Sequence, residues 1–126
     1  MFKNLPQGVK ISITRSIQAA FEQYMSQIEW NEDQYNAEDF IRFWRKYIEE
    51  HASWFERLSN EEKANPLFHQ ELADKINQTI EKIINEEPTS EQIEQLNTLL
   101  EEKGKEDITY SSKAEAKYWI EQLMKE

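Results

Sequence analysis

Two histidines, His51 and His69, are the residues here whose ordinary pKa lies close to neutrality, and the chain has no cysteine at all. A helical metal centre aims two ligands at one ion through a Glu-x-x-His or His-x-x-x-His spacing, and neither histidine belongs to such a pattern. Without cysteine there is no thiolate ligand, no thiol nucleophile and no disulfide, which fits a reducing compartment. His51 falls in the middle of an apolar helical stripe and reads as a hydrogen-bonded core or boundary histidine. Paired with a nearby carboxylate or tyrosine, it is also the one candidate for acid–base work. His69 follows Pro66 by less than one turn and reads as a surface residue.

Other catalytic constellations are missing. Gly8 and Gly104 are the only glycines, so no glycine-rich phosphate loop can be built, and there is no Gly-x-Ser-x-Gly elbow. No Asp-x-Asp-x-Asp-Gly calcium loop occurs. Carboxylates do come in pairs, among them Glu38-Asp39, Glu49-Glu50, Glu61-Glu62 and Glu101-Glu102. Neighbours on a helix diverge by about 100°, however, and do not converge on one substrate atom. The expectation is a protein that is not an enzyme and takes no cofactor or metal.

Two features remain. The first is acidity: 15 Lys and Arg stand against 25 Asp and Glu, a formal charge of -10. Duplex DNA binding needs a basic face to displace counterions, so a basic protein is the natural partner and direct nucleic-acid binding is disfavoured. Carboxylates on rigid helices can stand at spacings comparable to DNA phosphates and occupy the basic groove of a nucleic-acid-processing protein, while solubility is the commoner use of such charge in helical proteins. The candidate contacts, chosen by clustering, are Glu49, Glu50, Glu56, Glu61 and Glu62. The second feature is aromatic surplus, with four Trp in the chain. Trp30 falls off its helix's apolar stripe beside Asn31-Glu32-Asp33 and is a candidate binding anchor. Core packing, or a homodimer formed through the aromatic second helix, is the alternative use of that surplus.

The elements that must carry these residues are helices. A chain of 126 residues with two Gly and three Pro, and apolar residues at spacings of three and four, leaves little room for strands. From Ser12 to about Glu29, Ile13, Ile17, Ala20, Phe21, Tyr24 and Ile28 form one stripe. Residues 1 to 10, with Leu5-Pro6 and Gly8, read as an irregular arm. A second helix starts at an Asn36 cap and runs to about Leu58, with aromatic and aliphatic residues over half its circumference. A third begins at Asn65-Pro66, carries Phe68, Leu72, Ile76, Ile80 and Ile83, and stops before Pro88. Thr89 with Gln92, and Ser112 with Glu115, are capping-box patterns that open two shorter helices, and Gly104 suits a left-handed helix end. Between these two helices, Lys105 to Ser111 is an extended connection that brings Ile108 and Tyr110 to the core.

The predicted fold is therefore all-α: a three-helix bundle over residues 1–88, followed by a packed C-terminal helical hairpin over 89–126. No stretch approaches the roughly 18 apolar residues of a membrane span, and the N-terminus lacks the apolar core and cleavage site of a secretory signal, so a cytoplasmic location is expected.

The stretch from Thr89-Ser90-Glu91-Gln92-Ile93 to Gly104, then Ser112-Lys113-Ala114-Glu115-Ala116 to Ile120-Glu121-Gln122-Leu123, resembles a short helix, extended loop, helix tail module of small phage and bacterial proteins, including recombination and single-strand-annealing proteins. The resemblance spans about 35 of the 126 residues and implies a phage or bacterial setting and an accessory role near DNA. This hairpin departs from a DNA-binding version, because it is net -4 and offers only Lys103, Lys105, Lys113 and Lys117 as a basic cluster. The expected function is a non-catalytic acidic binding protein, a phage or mobile-element inhibitor or regulator of a basic nucleic-acid-processing protein. The alternative is a single-strand nucleic-acid or recombination accessory factor, in which Trp30 or the C-terminal aromatics stack on bases.

Overall fold

The structure is a computed structural model that describes residues 4–125. The described residues form an all-α protein: α1 (Gln7–Gln27), α2 (Ala37–His51), α3 (Ser53–Glu56), α4 (Asn60–Ala64), α5 (Pro66–Asn85), α6 (Ser90–Glu102) and α7 (Lys113–Lys125), with a short 3-10 turn at Glu32–Gln34. The chain divides into two compact units, Met1–Ile80 and Glu81–Glu126. The division falls inside α5 rather than at the Pro88 punctuation. Beyond the end of α5, the Lys113 backbone N–H donates to the Glu86 carbonyl at 2.8 Å, and the Lys113 ammonium lies 3.6 Å from the Glu86 carboxylate.

In the first unit α1 packs on α2 and α3. Its stripe is buried as its spacing predicts, from Ile13 through Ile17, Ala20, Phe21 and Tyr24, with Met25 joining them. The helix begins earlier than expected, at Gln7, so residues 7 to 10 are helical rather than part of an irregular arm. Pro6 sits just outside the helix, where its missing N–H costs nothing, and its carbonyl accepts from the Val9 and Lys10 N–H groups. Gly8 weakens a helix by only about 1 kcal/mol relative to alanine, too little to stop one that a buried stripe continues. The remainder of the expected arm, residues 1–3, lies outside the described residues.

The second helix is not continuous. It starts where Asn36 predicts, with the Asn36 side chain accepting from the Asp39 N–H at 3.1 Å, but it breaks at Ala52, whose φ of -108° and ψ of 101° are extended. The break accounts for the wide apolar face. Phe40, Trp44, Ile48 and Ala52 are buried at four-residue intervals, and the change of direction then brings Trp54 back to the same core. There it stacks on Trp44 with ring centroids 6.3 Å apart, and its indole N–H donates to Ser16 Oγ at 3.0 Å. Phe40 meets Phe21 edge to face at 5.7 Å, the geometry that aromatic quadrupoles favour.

A helix missing from the sequence reading, α4, follows from Ser59-Asn60-Glu61-Glu62. Ser59 Oγ accepts from the Glu62 N–H, and the Glu62 carboxylate accepts from the Ser59 N–H, closing a capping box. Asn65 then caps α5 by accepting from the Leu67 N–H at 2.9 Å. Along α5 the buried residues are Phe68, Leu72, Ile76, Thr79 and Ile83, with Ile80 only half-buried. Thr79 is tolerated inside because its hydroxyl donates to the Lys75 carbonyl at 2.7 Å.

In the second unit α6 and α7 form a hairpin around Leu96, Leu100, Ala116, Ile120 and Leu123, and Ile108 and Tyr110 from the extended connection pack against that cluster. Thr89 and Gln92 close their capping box. The second box is varied: Ser112 Oγ accepts from the Glu115 N–H, but the Glu115 carboxylate accepts from the N–H of Ser111 instead of Ser112. Gly104 has φ +62° and ends α6 as expected.

Candidate functional site

Most of the predicted contacts follow from where α2 places its polar half. Burying Phe40, Trp44 and Ile48 sends Glu49 and Glu50 outward at the end of α2, while Glu56 is exposed on α3 and Glu61 on α4. Glu50 lies 3.7 Å from the imidazole of His51, which carries positive charge only when protonated. Glu49, Glu56 and Glu61 make no side-chain hydrogen bond or ion pair among the described residues. Glu62 is different. Its carboxylate holds the Ser59 N–H, so it works as a cap rather than as a contact.

Glu49 and Glu50 also stand in the last turn of α2, where the unsatisfied carbonyls carry partial negative charge and acidic side chains lose about 0.3–1 kcal/mol each. By contrast Glu38 and Asp39 lie in the first turn, where the dipole favours them, and Asp39 pairs with Arg42 at 3.1 Å. Helix stability explains the first-turn acids but not Glu49 and Glu50, of which only Glu50 has a partner among the described residues, the neighbouring His51.

Neither histidine is part of an enclosed site. His51 is not a core or boundary residue but has a side chain 58% exposed, beside the ring of Tyr47, because the stripe it was assigned to turns inward at Ala52 instead. His69 is exposed as predicted, and its Nε2 meets the carbonyl of Lys63. Among the described residues no group of three or more His, Asp or Glu could hold a metal ion.

Trp30 is the clearest correction. It is buried, 9% exposed, and packs edge to face on Phe21 at 6.1 Å, so it is not presented as a surface anchor or a stacking platform. Off-stripe placement was misleading because α1 ends at Gln27 and the chain then turns back. Glu29 and Trp30 both have φ of 55°, the Glu29 N–H donates to the Ser26 carbonyl, and the Trp30 N–H reaches the Met25 carbonyl at 2.7 Å. The turn swings the indole into the core, where its N–H finds no acceptor. The C-terminal aromatics are also committed: Tyr118 is buried, and the Trp119 indole N–H donates to Glu115 at 3.4 Å.

The structure adds a surface that the sequence reading did not single out. On the outer face of α1, Gln7, Lys10, Ile11, Thr14, Arg15 and Gln18 line an open groove of about 550 Å³ with Lys75 of α5. Three of its seven lining residues are basic and none is acidic, in a chain of net charge -10. The signal was available as a second stripe at spacings of three and four, but it starts inside the residues read as an arm. The described part of the second unit carries a shallower depression of about 400 Å³ on α6, lined by Glu91, Glu94, Gln95, Thr98 and Leu99.

No described helix is long and apolar enough to cross a membrane. No family model matches the chain, and no curated protein or solved structure matches it either.

Proposed function

We propose that this protein is a non-catalytic binding protein whose acidic helical surface engages a basic partner, and that the partner belongs to the nucleic-acid-processing class. The observation that carries the reading is the exposed pair Glu49 and Glu50 at the dipole-disfavoured end of α2, continued by Glu56 and Glu61 on the next two helices. Acids that cost the fold stability are accounted for by a cation supplied from outside. A basic groove built for phosphates supplies one, and held carboxylates compete for it. In the setting that the C-terminal resemblance implies, such a protein acts as a phage or mobile-element inhibitor or regulator in the cytoplasm.

The stacking alternative loses support, because it draws on Trp30 and the C-terminal aromatics, and Trp30 and Tyr118 are interior. The discriminating experiment compares the wild-type protein with a variant carrying Glu49→Lys, Glu50→Lys, Glu56→Lys and Glu61→Lys as bait for basic nucleic-acid-binding proteins of the host. Capture at low salt by the wild type alone, lost near 0.5 M salt where the screening length falls to about 4 Å and displaced by added duplex DNA, is the expected result. Equal capture by both proteins, indifferent to salt and DNA, overturns the reading.

A further inference from the structure

The acidic surface on α2 to α4 leaves unexplained the basic groove on α1 and α5. Its lining on α1 recurs at positions 7, 10, 11, 14, 15 and 18, the spacing of a helix face that receives another helix. On α6 the same spacing recurs at positions 91, 94, 95, 98, 99 and 102, the first five lining the depression there, and Glu102 falls on that face one further turn along. The charges are opposite. Arg15 and Lys75 flank the groove around Ile11, which is 43% exposed, whereas Glu91, Glu94 and Glu102 mark the α6 face, on the side of the helix away from Leu96 and Leu100. The groove face spans 12 residues along α1, 11 steps or about 16 Å at 1.5 Å per residue, and the α6 face has the same extent.

We infer that the groove is a self-association site, and that its occupant is the acidic outer face of α6 from a second copy of this chain. The aliphatic stems of Arg15 and Lys75 and the Ile11 side chain cover apolar surface around Thr98 and Leu99, while their charged ends meet Glu91, Glu94 and Glu102. The contact pairs unlike faces, so it adds copies in series or closes a ring, and it leaves the α2 to α4 carboxylates outside the contact. It is independent of the binding function proposed above.

Sedimentation velocity of the full chain across a wide concentration range tests it. At low salt the weight-average sedimentation coefficient rises with concentration, and near 0.5 M salt it returns to that of the monomer. Two charge-reversed variants, Arg15→Glu with Lys75→Glu and Glu91→Lys with Glu94→Lys, each stay monomeric. Mixed in equal amounts they associate again, because the acidic groove of one accepts the basic α6 face of the other. Milder variants, Arg15→Gln with Lys75→Gln and Glu94→Gln with Glu102→Gln, weaken association by about tenfold, the strength of two exposed ion pairs. They serve if circular dichroism shows that either reversal has disturbed the fold. A wild-type protein that is monomeric at every concentration overturns the inference and leaves the groove to some other acidic ligand. Variants that associate like the wild type, or a mixture that stays monomeric, overturn it equally.

Discussion

Replacing Glu29 with glycine should stabilise this protein, an unusual sign for a mutation that removes a whole side chain. The two clearest helix ends, those of α1 and α6, share one hydrogen-bond pattern. At the first, the Glu29 N–H reaches Ser26 and the Trp30 N–H reaches Met25; at the second, the Gly104 N–H reaches Glu101 and the Lys105 N–H reaches Leu100. The residue in the equivalent left-handed position is glycine at φ +62° in one case and glutamate at φ 55° in the other. A left-handed conformation costs an L-residue about 1–2 kcal/mol. Glycine avoids that cost but gives back about 0.5–1 kcal/mol through its greater freedom in the unfolded chain. Glu29→Gly should therefore gain about 1 kcal/mol, or about 4 °C in Tm. Glu29→Ala isolates the charge, which opposes the helix dipole, and should gain only about 0.3 kcal/mol. The reciprocal change, Gly104→Ala, should lose about 1 kcal/mol, and it is a clean test because an added Cβ meets nothing within 4 Å. Thermal unfolding followed by circular dichroism measures all three. A neutral Gly104→Ala, or a Glu29→Gly no more stable than Glu29→Ala, refutes the backbone argument.

Two further outcomes concern aromatic groups of the first unit. Trp30→Phe removes an indole N–H that is buried without an acceptor while keeping most of the ring contact with Phe21, so its effect on Tm should be small, whereas Trp30→Ala, which opens a cavity, should cost about 3 kcal/mol or more. A Trp30→Phe variant as unstable as Trp30→Ala contradicts this account. Partial desolvation first, and the nearby Tyr24 second, raise the phenol of Tyr35, which is 38% exposed, above its ordinary value of 10.0. Since the folded state then holds its proton more tightly than the unfolded state, this contribution is intact below pH 10 and is lost as pH rises through the folded value. A spectrophotometric titration in which the step removed by Tyr35→Phe lies at or below the ordinary value of 10.0 contradicts that assignment.

The sequence by itself determined the helical class, most of the buried stripe on α1 and α5, and the caps at Asn36, Asn65, Thr89 and Ser112. These depend on interactions within about four residues, so they are written in local order: a side-chain oxygen three residues before the donor it satisfies, or an apolar residue once per turn. The identity of the exposed carboxylates was legible for the same reason, since α2 has one side to bury and Glu49 and Glu50 lie on the other. What local order could not supply was the direction of the chain after each break. The extended Ala52 and the left-handed pair Glu29 and Trp30 are chosen by what they bury: Trp54 against Trp44, with Ser16 as its hydrogen-bond partner, and Trp30 against Phe21. Those partners are far apart in the chain, and their packing outweighs the helix propensity that would have carried α2 straight on. The same tertiary choice moved His51 out of the core and Trp30 into it, and it set Lys75 of α5 beside the outer face of α1. One aromatic anchor was thereby removed, and a basic groove assembled from two helices that no single stretch of sequence contains.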